Sequence, residues 1–248
     1  MVMTFSSSSW DQMSSFLFSA DSWKMHPWFD EDGFEFFRTL GAEMLEILAA
    51  SGDWYSSELR TLLKERAATQ RTNLPWHITT SSVVLAPEQN SVLLLFHNKI
   101  REWVYPGGHA DGDWHLLRSS LRECFEETAL QPLEILPPRQ LAGFSKAALC
   151  PHFFQKFQIK ESHKDPAHVH FDAVFVFRAL STESACFDPN ESADLKWISI
   201  SELEAHAKRG SGIWEGIDAL TARICLRAVQ SALGGETSKG TFERPSEL

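Results

Sequence analysis

Leu117, Leu121, Cys124 and Thr128 recur at steps of three and four residues, the spacing at which side chains share one face of an α-helix. Similar steps run through Phe37, Leu40, Met44 and Leu48, closed by Ser51-Gly52, and through Leu59, Leu62, Leu63 and Ala67. Residues 34 to 70 are therefore expected as a helical extension that braces the rest of the chain. Asn73-Leu74-Pro75 ends this pattern, and β-branched and apolar runs take over. Ile78 to Leu85 and Val92 to Phe96 flank a turn at Pro87 to Asn90 and predict a hairpin. Glu102 to Tyr105, Phe153 to Ile159, His168 to Phe177 and Leu195 to Ile200 predict further strands. Asp113 to Thr128, Ser201 to Lys208 and Ile217 to Leu233 predict helices, with Asp111 or Asp113 available to cap the first. Strands and helices alternate after Pro75, so the expected class is an α/β layered domain. Residues 1 to about 33 mix Ser with Trp10, Phe16, Phe18, Trp23 and Trp28 in no clear period, an arm expected to pack on something. The chain thus divides into an aromatic arm and helical extension (1–72), an α/β domain (73–233) and a polar tail (234–248).

Composition narrows the partners. With 248 residues, 43% of them apolar, the chain can bury a full core. A net charge of -10 and the absence of a Lys/Arg run exclude a polymeric nucleic acid as the expected partner. A small polyphosphate remains compatible, because a divalent cation can be shared between carboxylates and phosphates. Cys124, Cys150, Cys186 and Cys225 are far apart and form no CxxC pair, which points to reduced thiols. The first 23 residues contain no Lys or Arg, unlike a signal or transit peptide. No apolar run approaches the roughly 20 residues that span a bilayer. A cytoplasmic protein without a membrane partner is expected; the sequence is compatible with a homodimer.

The stretch that carries chemistry runs Gly107-Gly108-His109-Ala110-Asp111-Gly112-Asp113-Trp114 and on through Arg122-Glu123-Cys124-Phe125-Glu126-Glu127-Thr128-Ala129-Leu130. At about 100° per residue, Glu123, Glu126 and Glu127 crowd one sector of a helix. Like charges four residues apart cost roughly 0.2–0.5 kcal/mol, and a divalent cation turns that cost into a site of hard oxygen ligands, suited to Mg²⁺ or Mn²⁺ rather than Zn²⁺. The upstream glycines allow the main chain to approach metal or phosphate closely, and the Gly108 carbonyl could serve as a ligand. An isolated Glu-x-x-Glu-Glu would most often be a solvated face, but here the surrounding residues matter.

This segment resembles the Nudix box: Gly, five residues, Glu, seven residues, Arg-Glu, an aliphatic, any residue, Glu-Glu, any residue, Gly, an aliphatic. Gly108, Arg122, Glu123, Glu126 and Glu127 fall in register, a coincidence expected about once in a million start positions at roughly 6% usage per residue. Asn73 to Thr79, Pro106-Gly107-Gly108-His109, His168-Val169-His170-Phe171-Asp172 and Asp194-Leu195-Lys196-Trp197 extend the resemblance, to a bacterial-type subgroup, over about residues 73 to 208. Trp114 stands where the box has its first Glu, and Ala129 where it has its last Gly, which suggests a less left-handed turn after the helix.

The resemblance implies a Nudix-like α/β/α sandwich around a mixed β-sheet. It implies that Glu123 and Glu127 are direct metal ligands, that Glu126 is a third ligand or binds through water, and that Arg122 orients a glutamate. One of these carboxylates, or Glu191 outside the box, would take the proton of the attacking water. His168, His170 and Asp172 alternate along a predicted strand and can meet substrate or a second metal together. His109 beside the glycines, and Lys99 and Arg101 between two strands, are further substrate-binding candidates. Trp76, Trp103 and Trp114 could stack on a base, although burial accounts for each more simply. The expected function is metal-dependent hydrolysis of a pyrophosphate bond in a nucleoside diphosphate-X or related small diphosphate. The alternative is a non-catalytic Nudix-fold sensor; an isoprenoid diphosphate isomerase is third, for want of a convincing cysteine and glutamate set.

Overall fold

The structure is a computed structural model that describes residues 17–18, 32–36, 57–142, 146–162, 165–208 and 216–234. The expected helix over Phe37 to Leu48 lies outside these residues; Gly33 to Phe36 are helical. The second extension helix is α1, Ser57–Leu62, followed by a separate helical turn at Arg66–Thr69.

The hairpin forms, but it opens at once. β2 (Trp76–Leu85) and β3 (Ser91–His97) pair at Leu85 and Val92, next to the turn. Beyond that point β3 turns to β4 (Trp103–Val104) and β9 (Ser192–Ser199). The vacated edge of β2 is taken by β5, Gly107–His109, with His109 opposite Thr79, Gly108 opposite Thr80 and Gly107 opposite Ser81. The glycine segment, expected as a loop, is therefore a strand. Two glycines give no period-two signal, and close packing requires their lack of a side chain: a Cβ on Gly107 would stand 2.5 Å from the Thr80 carbonyl oxygen.

On its other side β2 runs parallel to β8 (His168–Ala179), from Trp76 opposite Val169 to Leu85 opposite Arg178. This parallel pair at the centre of otherwise antiparallel strands makes the sheet mixed, and nine of the ten β2 residues are buried. β8 also pairs with β7 (Phe153–Ile159) and with β6 (Leu133–Ile135), a short strand that the sequence pattern does not reveal. Leu17–Phe18 of the arm form β1 and pair with β6. Residues 1–16 and 19–31 of the arm, with the packing expected of them, lie outside the described residues. β9 begins three residues before the predicted Leu195, because Ser192-Ala193-Asp194 carry no apolar alternation.

Helices cover both faces. α2 (Leu116–Thr128) packs against Ile78, Val84, Phe171 and Phe175, with Leu117, Leu121, Cys124 and Thr128 turned inward as their spacing predicts. A buried contact of small residues, Ser82 Oγ to Ser120 Oγ at 2.7 Å, lets this helix approach the sheet closely. Phe34, Phe36, Leu59, Leu62 and Ala68 of the extension join the same core. α3 (Ile200–Lys208) and α4 (Ala219–Leu233) cover the opposite face over Val83, Leu85, Val174 and Val176. The result is the expected α/β/α sandwich.

Candidate active site

α2 begins without a side-chain cap at His115. Asp113 instead accepts the His115 N–H at 2.8 Å and binds Arg118 through both oxygens, while Asp111 is exposed. Neither aspartate is the N-cap that was expected. At the other end Ala129 adopts φ 51° and ψ 10° and its N–H returns to the Phe125 carbonyl. The turn is fully left-handed despite the Cβ, so the expectation of a relaxed turn is overturned. The geometry demanded by the chain reversal prevails over the roughly 1–2 kcal/mol preference against it.

The carboxylates of α2 reach the sheet where β5 has no side chains. The Gly107 N–H donates to Glu127 Oε2 at 2.9 Å. A Cβ on Gly108 would stand 2.4 Å from Glu123 Oε2, so only glycine admits Glu123 there. Glu127 is 9% exposed. Arg122 holds the cluster in place: Nη1 lies 2.7 Å from Glu123 Oε1 and 3.1 Å from Glu126 Oε2, while Nη2 donates to the His109 carbonyl at 2.8 Å. Glu126 differs from the other two, since its side chain is 57% exposed and bonded only at the surface to Arg122.

Glu191 is brought to the same place. The Asp188 N–H donates to the Glu127 carbonyl and the Glu191 N–H to the Asp188 carbonyl, and the Glu191 carboxyl is close enough to that of Glu127 to raise it. Burial pushes Glu123 up to about 7, against the pull of Arg122 and with the repulsion of Glu126. Burial pushes Glu127 up to about 8, opposed by the Gly107 N–H and assisted by Glu191 and Glu123. In both, burial outweighs the partners that favour the ionised form.

The remaining candidates fall into two groups. Lys99 and Arg101 lie in an exposed turn that borders the Glu191 loop through Asn98 N–H to the Glu191 carbonyl, 2.8 Å. Arg101 has its guanidinium 4.9 Å from the Phe96 ring centre, and the Lys99 N–H donates to His97 Nδ1. His170 and Asp172 do share a face with His109. Asp172 is buried and accepts from Thr79 Oγ1 at 2.8 Å, its carboxyl raised to about 6 by burial. His77, opposite His170 across the parallel pair, joins this face as well. Sequence reasoning did not single it out, because strand register brings it there; a second His two residues before a Thr on a buried strand was the available sign.

Trp114, in place of the box's first Glu, points away from the carboxylates. It is 5% exposed, donates its indole N–H to the Arg66 carbonyl at 2.9 Å and meets Phe34 edge-on at 4.9 Å between ring centres. A residue on the box loop has become the anchor of the extension. Trp103 is also buried, against Phe96.

Two helical layers enclose a mixed sheet, with helix-borne glutamates held at a glycine strand, which defines the class as an α/β/α sandwich. A family model described as the NUDIX domain matches residues 75–219, and the chain belongs to the NUDIX family. Solved structures to which the chain is similar include a NUDIX family hydrolase from Clostridium perfringens, at 20% identity and TM-score 0.46 over 62% of this chain and 96% of that one. An Ap4A hydrolase of C. elegans is 16% identical, with TM-score 0.41, over 62% and 95%. The NUDIX domain of Shewanella oneidensis NrtR, solved with ADP ribose, is 17% identical, with TM-score 0.39, over 70% and 97%. No curated protein matches the chain. Among the described residues, no helix is long and apolar enough to cross a membrane.

Proposed function

We propose that this chain hydrolyses the pyrophosphate bond of a nucleoside diphosphate-X or related small diphosphate with the help of Mg²⁺ or Mn²⁺. The observation that carries the reading is the pair of buried Glu127 and largely enclosed Glu123, set at a strand whose glycines make room for them and raised to about 8 and about 7. Ionised carboxylates so enclosed are costly unless a cation meets them, and a set of hard oxygens suits a magnesium-like ion. Glu123 and Glu127 would hold it, with Glu126 as a third or water-bridged ligand and the Gly108 carbonyl beside them.

When bound, the ion neutralises pyrophosphate charge and stabilises the leaving oxygen. Arg122 fixes the rotamer of Glu123, and the Gly107 N–H fixes that of Glu127. Glu191, whose loop is bonded to the Glu127 carbonyl through Asp188, would accept the proton of the attacking water as its oxygen bonds to phosphorus and the bridging P–O bond breaks. His109, His170 and Asp172 lie on the opposite face of the sheet as the candidates for substrate, and Lys99 and Arg101 stand in the turn that borders the Glu191 loop. Water takes the place of the bridging oxygen on one phosphorus, so two phosphorus-containing products form, one of them inorganic phosphate if X is absent.

A second reading, a ligand sensor without turnover, draws on Trp114, which ties the box loop to the extension. Phosphate release with Mg²⁺ across nucleoside diphosphate sugars, dinucleoside polyphosphates, NADH, ADP-ribose and nucleoside triphosphates separates the two. Turnover of at least one substrate is expected. Binding without turnover across the panel would support the sensor.

A further inference from the structure

Four imidazoles meet on the face of the sheet that α3 and α4 cover farther along. His77 and His170 are directly opposite on β2 and β8, His168 is one alternation earlier, and His109 enters from β5. The His77 ring centre lies 5.1 Å from that of His168 and 4.7 Å from that of His170, and the last two are 4.9 Å apart. His77 is 1% exposed and His168 6%.

The hydrogen bonds of these rings fix their protonation. His168 Nδ1 is 2.7 Å from the Pro166 carbonyl oxygen and His77 Nδ1 is 3.2 Å from that of Asn73. A carbonyl only accepts, so both Nδ1 atoms carry hydrogen and both Nε2 atoms present lone pairs. His168 Nε2 lies 3.0 Å from His170 Nε2, and His77 Nε2 is buried with no hydrogen-bond partner. A single N–H on His170 can satisfy one neighbour but not both. One ring nitrogen from each of the three lies within 4.8 Å of the others. An ion about 2.0–2.1 Å from each nitrogen in tetrahedral geometry would set them roughly 3.3 Å apart, a small closure from these positions.

We propose that His77, His168 and His170 bind a borderline transition-metal ion, Zn²⁺ by preference, through Nε2 of His77 and His168 and a ring nitrogen of His170. Three neutral imidazoles favour such an ion over Mg²⁺, and Nδ1–H to carbonyl bonds are the outer contacts that orient metal-binding histidines. Asp172, next along the face, is engaged by Thr79 and stands outside the set. Three protein ligands leave a fourth position for water or an anionic oxygen. His109 stands beside the set, its ring centre 5.2 Å from those of His77 and His170.

The proposal is independent of hydrolysis at the glutamates. Full-length chain stripped with a chelator is titrated with Co²⁺ and with Zn²⁺. One Co²⁺ per chain should bind with the visible absorption of a tetrahedral nitrogen site, and should be displaced by Zn²⁺ but not by excess Mg²⁺. His77→Asn and His170→Asn should weaken binding beyond the roughly 10–100-fold that loss of an outer contact costs, whereas Glu127→Gln should retain it. Wild-type chain that takes up neither ion at micromolar concentration overturns the proposal, whatever the variants do. So does a site lost in Glu127→Gln and kept in folded His170→Asn.

Discussion

Trp114 shows how one substitution in a motif can be compensated by the fold around it. The sequence marks it as a departure from the box. Its surroundings give it another role: the indole fills the junction between the box loop and the extension, with its N–H satisfied by Arg66. Trp114→Glu would bury a carboxylate against Phe34 and forfeit the packing of a large ring, a loss of at least about 3 kcal/mol. Denaturant unfolding should show this as a lowered midpoint; a midpoint equal to the wild type's would contradict the anchoring role. The registered residues Arg122, Glu123, Glu126 and Glu127 were legible because a helix converts sequence spacing directly into shared direction. His77 was not, because strand register joins residues 93 positions apart and leaves no local trace.

At the scale of the element, α2 and β5 act as a unit. The helix supplies charge and the glycine strand supplies the space and N–H that receive it. Strands with long apolar runs, such as β2, β7 and β8, could be read from the sequence. β5 and β6 could not, since each has three residues and its pairing is set by neighbours.

This pairing of elements makes stability depend on pH in two opposing limbs. Glu123 and Glu127 rise from 4.5 to about 7 and about 8 on folding, through burial. Their stabilising contribution is full below 4.5 and is lost as pH rises through those values. His109 and His170 fall from 6.5 to about 4 and about 3, again through burial. Their contribution is present above 6.5 and is lost as pH falls through 4 to 3. Chain kept metal-free by a chelator should therefore have a thermal midpoint that declines as pH is raised from about 6.5 to 8 and levels off above that, and that declines on acidification below about 4.5, the two limbs opposing each other in between. Added Mg²⁺ should flatten the alkaline limb, because a bound cation accommodates both ionised carboxylates. A metal-free midpoint that climbs steadily to pH 9 would speak against the buried pair.

For the molecule as a whole, the extension and the α/β domain share one core. Leu59 and Leu62 are completely buried beside residues of α2 and β8, and Asp32 pairs with Arg66 at the surface. Burial of Leu59, Leu62 and Phe34 contributes roughly 5 kcal/mol or more, at about 1.5–3 kcal/mol each, against a typical net stability of 5–15 kcal/mol. A chain beginning at residue 73 should consequently lose cooperative unfolding or most of its stability, as followed by circular dichroism in urea. A truncated chain with the wild-type midpoint would mean that the extension is a separate module. The layers were legible in the order of strands and helices; the fusion of the extension into the α2 core was not, because amphipathic spacing says that a face is buried without saying against what.

Turnover of the preferred diphosphate by wild type and by Glu127→Gln, each measured with and without Mg²⁺, tests the central claim most directly. The wild type should require the ion, and the variant should fold with an unchanged circular dichroism spectrum yet lose roughly 100-fold or more in kcat/KM. Undiminished turnover by Glu127→Gln would contradict the assignment of the buried glutamates as the metal-holding centre.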